Sequence, residues 1–130
     1  MIYRFPSLGW VGRRLTSYFH LENHMAKYLL RINYTADGAK GLIKDGGSMR
    51  RSVAQKAAES VGGRVESFYF AFGDTDAFVV AELPDNASAS AIALTVSAGG
   101  GASVQTTVLM TPEEVDAAAR KSPMYVAPGH

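Results

Sequence analysis

Apolar and polar side chains alternate most regularly over Ala26–Tyr34, AKYLLRINY. There Tyr28, Leu30, Ile32 and Tyr34 face one way and Leu29, Arg31 and Asn33 the other. A period of two sustained this long predicts a half-buried strand. Two further stretches of this kind, Arg64–Phe72 and Ala77–Leu83, flank Gly73-Asp74-Thr75-Asp76 and predict a hairpin folded back at that turn. In the first arm Phe68, Phe70 and Phe72 share a face, with Val65, Ser67, Tyr69 and Ala71 opposite. In the second, Glu82 is charged, so its face, with Phe78 and Val80, is expected to point away from the core. Pro84 stops that arm because proline cannot donate to a ladder. A fourth strand, Ala102–Met110, follows the small residues Ser97–Gly101 and sets Gln105 and Thr107 on the same outward side.

Helical periods fill the gaps. Thr35-Ala36-Asp37-Gly38 turns the chain into a helical stretch broken at Asp45-Gly46-Gly47, and Ser48 is placed to cap a second helix. In that helix Met49, Val53, Ala57 and Val61 recur every four residues, flanked by Ala54 and Ala58. Arg50, Arg51, Gln55, Lys56 and Glu59 fall mostly outside the stripe. Gly62-Gly63 ends it. Asp85 or Asn86 caps a third helix striped by Ala89, Ile92, Ala93 and Val96, and Thr111-Pro112-Glu113-Glu114 opens a last one that runs to about Lys121. Strand–helix–strand–strand–helix–strand predicts an α+β, ferredoxin-like βαββαβ fold. Its sheet is four-stranded and antiparallel, of order 4-1-3-2, with both long helices on one face.

Length and charge narrow the picture further. A chain of 130 residues suits one domain, here 25–121, with an extended tail at 122–130. Residues 1–24 carry no extendable period, and Gly12-Arg13-Arg14 interrupts any apolar core of a secretory signal. They are expected to be an N-terminal extension, disordered or following a mis-set start. A net charge of +1 creates no field that would gather nucleic acid or an anionic membrane surface. Without cysteine there are no disulfides and no thiolate metal sites, and no apolar run approaches the roughly 20 residues of a spanning helix. The cytoplasm is the expected compartment.

From Met25 to about Ala119 the chain resembles the GYD-domain family, small bacterial proteins of the dimeric α+β barrel superfamily. Tyr34-Thr35 before the first helix, Gly62-Gly63 and the stretch FAFGDTDAFVVAELPD (Phe70–Asp85) carry the resemblance. So do Ala98-Gly99-Gly100 ahead of Thr106-Thr107. Thr75 departs from it, standing where such proteins typically carry an aromatic residue. The resemblance implies the fold and dimerisation, and no particular activity.

The signature turn places two carboxylates, Asp74 and Asp76, two residues apart beside Gly73, a spacing able to hold a hard cation. Gly and Asp are equally what a tight hairpin requires. That reading is preferred, with Gly73 expected in a backbone conformation costly to other residues. His20, His24 and His130 are the only histidines, so the domain itself offers no imidazole base, and no metal or cofactor is expected. Gly99-Gly100-Gly101 lacks the lysine of a phosphate loop, and Arg50-Arg51 is expected on a solvated face.

The outer sheet face is the informative surface. Leu29, Phe78 and Val80 are too apolar to face water, while Arg31, Asn33, Tyr69, Glu82 and Gln105 are too polar for a dry core. A second copy covering this face resolves both, and those five residues are the candidate ligand-binding set, with Arg31 and Glu82 expected to pair with each other or through a bound ligand. The expectation is a homo-oligomer that binds a small molecule or serves as an accessory protein. Two alternatives remain: a cofactor-free monooxygenase- or isomerase-like enzyme using the same cavity, or a purely structural oligomer.

Overall fold

A computed structural model describes residues 25–130; the expectations for residues 1–24, including His20 and His24, lie outside the described residues. The elements in order are β1 (Ala26–Tyr34), α1 (Ala36–Asp45), α2 (Gly47–Ser60), β2 (Arg64–Phe70), β3 (Ala77–Leu83), α3 (Asn86–Ala98), β4 (Ala102–Leu109) and α4 (Pro112–Ala119). The strands form one antiparallel sheet of order β2-β3-β1-β4, as the alternation predicts. No helix among the described residues is long and apolar enough to cross a membrane.

The core lies between the sheet and α2 and α3. Tyr28 and Leu30 of β1 and Val79, Ala81 and Leu83 of β3 meet Ala58 of α2 and Ala89 of α3, all buried. Large side chains on the sheet meet alanines on the helices, which lets the helices sit close. Tyr28 is almost wholly enclosed, yet its hydroxyl donates to Asn86 Oδ1 at 2.7 Å, which satisfies the one polar atom that burial would orphan. Thr35, Asp85 and Thr111 cap α1, α3 and α4, the last with the full reciprocal box to Glu114.

The structure corrects several local expectations. The β2–β3 register shifts between Val65 and Ser67, a bulge that turns Val65 toward the core opposite Ala81 while Phe68 still faces Val79. Ser48 does not cap α2: Gly46, at φ 89°, precedes the helix and supplies no side-chain hydrogen bond. β2 ends at Phe70, because the Ala71 N–H already closes the loop on the Asp76 carbonyl at 2.9 Å. The residue that leaves the ordinary backbone regions is Phe72, at φ 56°, and not Gly73, whose φ is not positive and around which a Cβ would find open space. Phe72 stacks on Phe70, ring centroids 5.5 Å apart and planes 10° from parallel, a contact that offsets part of the backbone strain.

Candidate functional site

The antiparallel register sorts the outer sheet face into rows of four. One row runs Tyr69, Phe78, Arg31, Gln105 across β2, β3, β1 and β4; the next runs Ser67, Val80, Leu29, Thr107. The third holds Arg64, Glu82, Lys27 and Leu109. Its charges pair within the chain. Lys27 Nζ lies 2.7 Å from Glu66 Oε1, which reaches it beside the bulge, and 2.7 Å from Glu82 Oε2. Arg64 Nε lies 2.9 Å from Glu82 Oε1. The hydrogen bond from Lys27, seconded by Arg64, holds the Glu82 carboxyl below its usual 4.5 against the opposing effect of burial. Bonds to Glu66 and then Glu82 hold Lys27 above its usual 10.5.

Of the five residues nominated from sequence, Tyr69, Arg31 and Gln105 therefore share one row. Glu82 stands two rows away, about 13 Å along the strands at 3.3–3.4 Å per residue. The expected Arg31–Glu82 pair does not form within the chain: Arg31 lies across from Phe78 and Gln105, with no carboxylate at ion-pair distance among the described residues. Asn33 lies beyond the Arg31 row, and its side-chain oxygen accepts from the Asp76 N–H at 3.1 Å. That N–H also reaches the Ile32 carbonyl, and the Asp76 carboxylate accepts from the Tyr34 N–H at 2.8 Å. The signature turn is thus stitched to the end of β1, which is structural work for Asp76 and Asn33. Asp74 is exposed beside it, and no cluster of three or more metal-ligating side chains occurs among the described residues. Thr75, in the same turn, is only 8% exposed.

A second feature lies on the other side of the sheet. A cleft of about 290 Å³ opens between α1, the start of α2 and the α3–β4 connection, lined by Tyr34, Asp45, Arg50, Thr95 and glycines 38, 41, 99 and 101. Beside it, sharing part of its lining, lies an apolar arm of about 90 Å³ among Leu30, Ile32, Val53, Phe68, Ile92 and Val104. Tyr34, Arg50, Val96 and Ala102 line both parts. The walls are held by Thr35, whose N–H donates to the Gly101 carbonyl and whose hydroxyl donates to that of Gly100. Gly38 packs so near the Gly101 carbonyl that a Cβ there would overlap it.

Arg50 lies on the inner side of α2 with Ala54, Ala57 and Ala58, rather than on the solvated face, while Val53 borders the arm but stays 40% exposed. A strict four-residue repeat drifts about 40° per step around a helix of 3.6 residues per turn, so Met49, the first of the expected stripe, rotates out to solvent. Burial raises the pKa of the Tyr34 phenol above its usual 10.0, with the nearby Arg50 cation acting the other way, so the group stays an O–H donor at neutral pH. Sequence reasoning missed this pair. The available signal was a tyrosine on the core-facing phase of β1 opposite helices built from glycine and alanine, which cannot fill the space above it.

Searches of curated proteins and of solved structures find no match. The family model described as the GYD domain matches residues 28–119, from the second turn of the alternation in β1 to the end of α4. That span covers every element of the sheet and its helices, and the chain belongs to the GYD-domain family.

Proposed function

We propose that the protein is a cytoplasmic, self-associating small-molecule-binding or accessory protein whose outer sheet face meets the same face of a second copy. The observation that carries this reading is the pattern of rows: two central rows bring Leu29, Phe78, Val80 and Tyr69 together without cover from the chain's own helices. Phe78 remains 37% exposed and Tyr69 71% exposed. The charged row at one end is already satisfied by its own ion pairs, so it can form a rim without bringing unpaired charge into an interface. In the stacked arrangement Arg31, Tyr69 and Gln105 face the space between the two sheets as ligand contacts, while Asn33 and Glu82 maintain the layer around them.

Sedimentation velocity at micromolar concentration tests the reading. The wild-type chain is expected to sediment as a dimer or higher homo-oligomer and Phe78→Arg as a folded monomer. A wild-type monomer, or a Phe78→Arg variant that still associates, overturns it.

A further inference from the structure

The cleft on the helix side of the sheet has chemistry that self-association through the outer face leaves unused. Protein interiors are packed closely enough that a void larger than a water molecule is uncommon. Here an apolar arm of about 90 Å³ runs beneath the helices and opens onto one guanidinium and one phenol. Arg50 is half-buried on the inner side of α2 and has no carboxylate at ion-pair distance among the described residues, Asp45 of the same cleft included. A desolvated cation without a counter-ion is costly, and an anion bound beside it removes that cost. The Tyr34 hydroxyl supplies a second donor at the same mouth.

We propose that this cleft is a binding site for a short aliphatic carboxylate, with the carboxylate held by Arg50 and Tyr34 and the hydrocarbon seated in the apolar arm. The size of the arm sets the chain length: at about 30 Å³ for each group of water or methylene size it holds roughly three such groups. Acids of about four or five carbons, with three or four groups beyond the carboxylate carbon, suit that space. The single cation and the presence of Asp45 in the same cleft select a singly charged head over a phosphate dianion. Ala54, Ala57 and Ala58 keep the arm open, since any larger side chain at those positions would occupy it. The site lies within one chain and goes beyond the proposed self-association, on which it does not depend.

The test is calorimetric titration of the full chain with pentanoate, 1-pentanol and inorganic phosphate. Pentanoate is expected to bind at least about tenfold more tightly than either of the others. Arg50→Met is expected to weaken pentanoate binding by about tenfold or more, and Ala57→Leu to weaken it comparably by filling the arm. Nuclear Overhauser contacts from the pentanoate methyl to the Ile92 and Val104 methyls in the unmodified protein give a readout that needs no variant. Phe78→Arg is expected to keep full pentanoate affinity, so a failure of self-association and a failure of this site are told apart. Equal affinity for pentanoate and pentanol, unchanged affinity in Arg50→Met, absence of those methyl contacts, or no binding at all overturns the proposal.

Discussion

Gly63 and Gly73 stand ten residues apart on either side of β2, and their backbones make opposite demands. A Cβ at Gly63 would collide with the Glu82 carbonyl oxygen and crowd Leu83, because β2 begins where the chain passes close over the end of β3. At Gly73 a Cβ meets nothing within 4 Å and φ is not positive. Gly63→Ala is therefore expected to destabilise the fold by about 1–3 kcal/mol, the usual cost of overpacking. Gly73→Ala should stay within about 0.5 kcal/mol of wild type, both measured by urea denaturation. Equal effects at the two sites would contradict this account of the turn. Identity alone misleads here. The loop Phe72–Thr75 places its left-handed residue first, at Phe72, and no propensity marks phenylalanine for that role; only the closure of Ala71 on Asp76 dictates it.

At the scale of elements, the faces of β1, β3 and β4 were legible because strict alternation with a charge or amide on one side leaves a single consistent phase. β2 was not. Its bulge inserts a residue between Val65 and Ser67, and a period of two cannot register a shift that depends on the neighbouring strand. The same bulge admits Glu66 to the ladder of Lys27, Glu82 and Arg64 that ties β1, β2 and β3 together. Because the Glu82 pKa is lowered in the folded state, the carboxylate favours folding above its ordinary value of 4.5, and that contribution is lost as pH falls through the lower folded value. Lys27 has the opposite sign. Its raised pKa contributes fully below 10.5 and is lost only as pH climbs past the folded value. Stability from the ladder should thus be level between about pH 5 and 10 and decline on either side. Thermal melts of wild type and Glu82→Gln are expected to converge below pH 4.5 and to differ at neutral pH. A constant difference across that acid range would mean that Glu82 acts through packing and not through its charge.

For the whole molecule, order of strands, side of the helices and the apolar outer face follow from the alternation of residues and elements, but the hollow could not be read at that level. The cleft exists because Gly38, Gly41 and the alanines of α2 face one another across Tyr34 and Arg50, and its trace in the sequence is limited to a core-facing tyrosine opposite helices of glycine and alanine. The outer face poses an energetic question that the chain does not answer by itself: Leu29, Phe78, Val80 and Tyr69 form a continuous patch across three strands, and sheets with such a face are stable when it is covered. If a second copy covers it, unfolding and dissociation become one equilibrium, and mass action makes the melting temperature depend on protein concentration. With an unfolding enthalpy of about 0.7 kcal/mol per residue over two chains, the expected rise is roughly 3 °C for each tenfold increase in concentration. Phe78→Arg places a cation at the centre of the patch without touching the buried face of β3, so its melt should be independent of concentration while its far-ultraviolet circular dichroism stays that of the wild type. A wild-type melting temperature that does not move between 1 and 100 µM, as orders of magnitude about the dissociation constant of a moderate dimer, would show that the face is solvated in the free chain and that its apolar rows await a different partner.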